Sequence, residues 1–211
     1  MVIAQLSLLA HDFIAKRHWQ TFHNPKNDVM NLFTESTELA ECFGQNLNKQ
    51  AVADELGDVI FALLLFAKLI GGVDIAKLVT AKMSGNISDE QSITFEELMA
   101  LVAHKSKDTL VTNKADLHQL ANALLVQAGK LADVFIWCEA PKSYEIANKQ
   151  SVYLQAKLTD FVVHLLQIAD VFNLNPSEAF VQKLEKIGRK YPVETSSYDG
   201  YEALKNKLRN K

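Results

Sequence analysis

The sequence predicts an all-α fold, on three observations. The 211 residues include only eight Gly and four Pro, and long stretches contain neither, which leaves little room for strands and their turns. Apolar residues recur three and four apart along most of the chain, the period of a helix face. Helix-start signals stand at regular intervals: Asn24-Pro25, Thr94-x-x-Glu97 and Asn175-Pro176. A fourth feature, an internal repeat, makes the expected architecture two copies of one helical unit packed as a pseudo-dimer within the chain.

Ile3, Leu6, Leu9, Phe13 and Ile14 give the first helix, over Ile3–Thr21. Asn24 as cap and Pro25 at the first helical position open a second, running to about Cys42. Phe43 to Lys49 is a polar connection. The third helix, about Gln50–Ile70, begins with its charges and then becomes apolar almost all round (Val59, Ile60, Phe61, Leu63, Leu64, Leu65), which places it centrally. Gly71-Gly72 ends it, and Val73–Met83 makes a shorter helix. Ser84–Thr94 is polar, holds Gly85-Asn86 and precedes the Thr94 capping box, so it divides the chain into 1–90 and 91–211. Helices then follow at about Phe95–Leu110, Ala115–Trp137, Gln150–Phe172 and Pro176–Lys190. The polar tail Val193–Lys211 ends in a short helix or frays.

The repeat is visible by eye. Leu32–Phe43 (LFTESTELAECF) aligns with Leu124–Phe135 (LLVQAGKLADVF), and Ala53–Gly71 with Gln155–Asn173, without gaps. Lys82 then matches Lys183. Three acids of the first copy are replaced in the second: Glu35 by Gln127, Glu38 by Lys130, Glu55 by Lys157. Asp58 alone keeps its counterpart, Asp160.

Composition excludes several functions. With 48% hydrophobic and 22% charged residues and a net charge of −3, the chain has no basic surface for a nucleic-acid polymer. The apolar run Val59–Phe66 is too short to span a bilayer, and the N-terminus lacks the basic region and cleavage site of a signal peptide. Cys42 and Cys138 have neither metal spacing nor a disulfide framework, which suits a reducing compartment. The expected location is the cytoplasm.

The chemistry is concentrated between Thr34 and Asp58. Glu35 and Glu38 are three apart, as are Glu55 and Asp58, so each pair shares a helix face. A short connection makes the two helices antiparallel neighbours, and the pairs can then face one another. Four converging carboxylates repel unless a cation lies between them. An all-oxygen set on rigid helices suits Mg²⁺, with Mn²⁺ as a substitute, and the absence of a Glu-x-x-His pair speaks against redox iron. Mg²⁺ held this way shares its shell with substrate phosphates, and a spare carboxylate can orient the attacking water. Read alone, such acids are equally a solvated helix face or a favourable charge at a helix N-terminus.

The motifs in order are W-x-x-F-H-x-P-K-N (Trp19, Phe22, His23, Pro25, Lys26, Asn27), E-x-x-E-L-A-E, A-D-E-L-x-D-V and K-M-x-x-N (Lys82, Met83, Asn86). This succession resembles the MazG-like all-α nucleoside triphosphate pyrophosphatases, most of all their dCTP-pyrophosphatase branch. The resemblance covers Phe13 to about Asn86; the second half shares it more faintly and ends in Arg189-Lys190-Tyr191-Pro192, similar to the family's C-terminal motif. It implies hydrolysis of the α–β bond of a nucleotide to a monophosphate and pyrophosphate, with Mg²⁺ on Glu35, Glu38, Glu55 and Asp58. By the same resemblance Lys82 and Asn86 meet phosphate or sugar, and Trp19, His23 and Asn27 border the base. Relatives are homo-oligomers with sites between subunits. A fused duplicate would make one site per chain, with Trp137, Arg189, Lys190 and Tyr191 donated by the degenerate second copy; a homodimer of such chains stays open. Departures from the pattern are Ile187 for an Asn, Gln45 for an aromatic residue, and Ala62 where relatives carry Tyr.

Each residue also has a plainer role. His23 could support the Asn24-Pro25 turn, Trp19 and Trp137 could be core, and Lys82, Arg189 and Lys190 suit helix ends. Two function classes follow: a Mg²⁺-dependent nucleotide pyrophosphohydrolase, and a non-catalytic helical module that binds nucleotides or a protein partner.

Overall fold

The computed structural model describes residues 1–44, 47–85, 92–105 and 114–193. Among them lie nine α-helices and no strand: α1 (Ile3–Ala15), α2 (Pro25–Glu41), α3 (Lys49–Leu69), α4 (Ile75–Ser84), α5 (Phe95–Lys105), α6 (Lys114–Asp133), α7 (Ser143–Lys149), α8 (Ser151–Val171) and α9 (Pro176–Lys190). Two 3-10 turns, Trp19–Phe22 and Ala140–Lys142, join them. The all-α expectation holds.

The helix starts are made by the residues that signal them. Asn24 Oδ1 accepts the Asn27 N–H at 3.0 Å, and Asn175 Oδ1 accepts that of Glu178 at 2.8 Å. Thr94 and Glu97 bond reciprocally: Glu97 N–H to Thr94 Oγ1 at 3.2 Å, and Thr94 N–H to Glu97 Oε2 at 2.8 Å. Gly71, Gly72 and Gly85 end α3 and α4 with φ of 106°, 67° and 72°, the left-handed region where a side chain is strained.

Some boundaries differ from expectation. The first helix stops at Ala15 rather than Thr21, because His18 takes φ 56° and no right-handed helix passes through that conformation. The chain resumes as the 3-10 turn carrying Trp19. The helix expected to reach Trp137 stops at Asp133, and the connection from there to Gln150 holds the second 3-10 turn and α7. At seven residues α7 is too short to display a periodic apolar face. The expected extension of α5 to Leu110 and the tail beyond Val193 lie outside the described residues.

α3 is central, as its all-round apolar pattern implies: α2, α9 and α1 pack around it. α8 is the second hub, contacted by α6, α5 and α4, and α2 packs on α6 to join the two groups. One continuous core results, with Phe43, Phe66, Phe95, Phe135, Phe161 and Phe180 all fully buried. Aromatic pairs cross between its parts, Phe43 stacked on Phe172 at 5.6 Å and Phe66 edge-on to Phe135 at 6.2 Å. The approach of α9 to α3 is unusually close at Gly57. A Cβ there would lie 2.6 Å from the Ala179 carbonyl oxygen and 2.7 Å from Lys183 Cβ. Only glycine admits that contact, and it brings the α9 side chains against the acidic turn of α3.

Candidate functional site

Helix spacing puts Glu35 and Glu38 on one face of α2, and Asp54, Glu55 and Asp58 on the start of α3; all five line one cleft of about 720 Å³. Glu35, Glu55 and Asp58 each offer a carboxylate oxygen, and the three oxygens lie within 4.8 Å of one another. Glu38 borders the same cleft outside that trio. Burial, with neighbouring charges added, raises the carboxyl pKa values of the trio. Burial, followed by the charges of Asp58, Glu38 and Glu55, pushes Glu35 up to about 8. Burial also raises Glu55 and Asp58, against the pull of Lys183. Glu55 Oε2 is buried without a hydrogen-bond partner. Three close hard oxygens, with an unsatisfied carboxylate oxygen on one of the same residues, fit a divalent cation of the Mg²⁺ or Mn²⁺ type.

α9 supplies the opposite charge. Lys183 Nζ pairs with Asp58 and, at 3.1 Å, with Asp54, while Lys186 Nζ pairs with Asp54. Burial opposes the charge on Lys183, but Asp58 and Asp54 outweigh it and hold the ammonium above its usual range. For Asp54 too, burial would raise the pKa, and the two lysines together bring it below the usual carboxylate value. Lys190 completes a row of three lysines on the cleft wall.

Trp19, Phe22, Phe61 and Tyr191 give the same cleft an aromatic lining. Trp19 is buried and held edge-on between Phe13 at 6.1 Å and Tyr191 at 5.4 Å. Arg17, itself buried, donates from Nε to the Tyr191 carbonyl at 2.8 Å and from Nη1 to that of Phe13 at 3.1 Å, which ties the end of α9 to the end of α1. His23 Nδ1 bonds Asp28 Oδ1 at 2.7 Å, and Asn27 Nδ2 donates to the Phe22 carbonyl at 2.8 Å. The order Trp19, Phe22, His23, Asn27 and then the two acid pairs is thereby converted into a single concave surface. Residues 23–89 match the MazG nucleotide pyrophosphohydrolase domain.

That stretch, about a third of the chain, is similar to a MazG domain.

A relative is dCTP pyrophosphatase 1 of Rattus norvegicus, 33% identical over 87 residues that make up 36% of this chain and 51% of that protein. The chain thus spans about half the length of this curated relative. No solved structure matches it.

Against this site the sequence expectations divide. Trp19, His23, Asn27, Glu35, Glu38, Glu55, Asp58, Lys190 and Tyr191 all border the cleft. Lys82 does not. α4 packs on α8, so Lys82 Nζ pairs with Asp160, which Lys157 also approaches at 3.6 Å. Trp137 is 95% exposed, because α6 ends before it and the following turn carries it into solvent. Arg189 points away with Glu185, 3.6 Å distant and one helical turn back on α9. Asn86 lies outside the described residues.

Residues absent from the expectation are Asp54, Lys183 and Lys186, together with Phe22, Asp28, Asn31, Phe61 and Ile187. For Lys183 a signal existed: the sequence comparison aligns it with Lys82. Lys183 pairs with Asp58, and Lys82 with Asp160. Ala62 is buried at 1% exposure, and the neighbouring Phe61 borders the cleft.

Proposed function

We propose that the cleft is the active site of a Mg²⁺-dependent nucleoside triphosphate pyrophosphohydrolase. The observation that carries this reading is the trio Glu35, Glu55 and Asp58, with oxygens within 4.8 Å of one another, opposite the lysine row of α9. Glu35, Glu55 and Asp58 would hold the cation, with Glu38 beside them. When bound, it would supply charge neutralisation and polarise phosphate oxygens. Lys183, Lys186 and Lys190 are placed to take the remaining phosphate charge. Glu38, outside the close trio, is suited to orient water and accept its proton. Water attack at the α-phosphorus and cleavage of its bridge to the β-phosphate yields a nucleoside monophosphate and pyrophosphate. Trp19, Phe22, His23, Asn27 and Tyr191 would border the base and sugar. The name of the relative supports a dCTP-like substrate within this class.

The reciprocal pairs Lys183–Asp58 and Lys82–Asp160 support the two-copy reading, with units 1–90 and 91–211 that each lend a lysine to the other's acid. With Gln127, Lys130 and Lys157 at the other acid positions of the second copy, one working site per chain follows.

A panel of ribo- and deoxynucleoside triphosphates, assayed for pyrophosphate release with Mg²⁺, Mn²⁺ or EDTA, tests the reading. Metal-dependent release that Glu38→Gln abolishes is expected. If no nucleotide turns over but some bind, the cleft serves the non-catalytic module instead.

A further inference from the structure

Lys183 makes a contact, to Asp58, that the phosphate role proposed above does not account for. In the cleft its ammonium touches Asp58, a member of the trio that would hold a cation, and also Asp54, which stands outside that trio. Its side chain is only 14% exposed, and its stem is packed against the bare backbone of Gly57, so its freedom lies in the last bonds of the chain. Asp54 and Asp58 are four apart on α3 and therefore one turn apart on the same face. Lys183 thus has two anchoring points, one inside the acid trio and one beside it. Lys186 contacts only the outer one.

Resting on the reading of the trio as a cation site, we propose that Lys183 is a built-in counter-cation. It neutralises Asp58 until a divalent ion enters, and it then gives up Asp58 and keeps its existing contact with Asp54. Six carboxylates line the cleft, Asp28 among them, and an ammonium between two of them offsets part of their repulsion in the protein without its ion. The incoming ion must break the Lys183–Asp58 contact, so resident lysine and metal compete for one carboxylate. Asp54 keeps the displaced ammonium within the cleft, on the side where a polyphosphate can meet it.

Competition makes a specific demand on metal affinity. Mn²⁺ binding is measured by electron paramagnetic resonance on the full chain in the absence of nucleotide, for wild type, Lys183→Met and Lys186→Met. Methionine keeps the stem that packs on Gly57; Lys183→Gln is run in parallel in case the apolar end impairs folding. Lys183→Met or Lys183→Gln is expected to bind Mn²⁺ about three- to tenfold more tightly than wild type. Lys186→Met, which removes the same charge from the same cleft without touching Asp58, is expected to stay within about twofold of wild type. Thermal unfolding supplies a second readout: loss of Lys183 should lower the melting temperature in EDTA and enlarge the rise on adding Mn²⁺. Equal tightening by the Lys183 and Lys186 substitutions would reduce the effect to general charge and overturn the proposal, as would unchanged affinity on losing Lys183. If wild type and all variants fail to bind Mn²⁺, the cation reading of the trio falls first, and the proposal with it.

Discussion

At the scale of single residues, the cleft is governed by the cost of bringing carboxylates together. Glu35 bears most of it, with a carboxyl raised from 4.5 to about 8 by burial and by its neighbours. A raised acid favours the protonated form in the folded state, so its ionisation opposes folding. The penalty is absent below about 4.5, grows as pH rises through the interval to about 8, and is complete above it. In EDTA, stability should therefore fall as pH rises across that window, and Glu35→Gln should flatten the dependence in thermal melts. Cation uptake needs the ionised carboxylate. Near neutral pH it should release a proton, measurable by calorimetry in buffers of different ionisation enthalpy, and affinity should level off above about pH 8. For catalysis, Glu35→Gln or Glu38→Gln is expected to lower turnover by about 10²-fold or more. Tyr191→Ala, which removes an edge contact to Trp19, should act mainly on KM.

At the scale of helices, the acidic turn of α3 and the lysine row of α9 meet because Gly57 has no side chain. Ala at this position would drive a methyl group into the Ala179 carbonyl and the Lys183 stem. Gly57→Ala should cost about 1–3 kcal/mol in urea unfolding and reduce activity through displacement of Lys183. Gly129→Ala on α6 is the control. Its new Cβ would meet nothing nearer than Phe33 at 3.9 Å, so helix propensity should leave stability unchanged or raise it by up to about 1 kcal/mol. Helix positions were legible in the sequence wherever a side chain caps its own helix, as Asn24, Thr94 and Asn175 do. The break at His18 and the short α7 were not, since neither a single left-handed residue nor a seven-residue helix leaves a periodic trace. The acid pairs were legible for the same reason as the caps: their spacing alone places them on one helix face.

At the scale of the whole molecule, the cleft draws its acids from α2 and α3 and its lysines from α9, some 125 residues apart along the chain for Asp58 and Lys183. If both sides come from one chain, mixing Glu38→Gln with Lys183→Met should restore no activity, and specific activity should not depend on protein concentration. Recovery on mixing would mean that two chains exchange α9. The sequence by itself determined the helical class and the acid pairs, because each rests on spacing within a helix. Which lysine faces which acid was decided by tertiary structure alone. Lys82 and Lys183 align with each other in the sequence, and only the packing of α4 on α8 and of α9 on α3 sends the one to Asp160 and the other to Asp58. Charge pairing over such a separation depends on which helix surfaces interlock, and no local pattern encodes that.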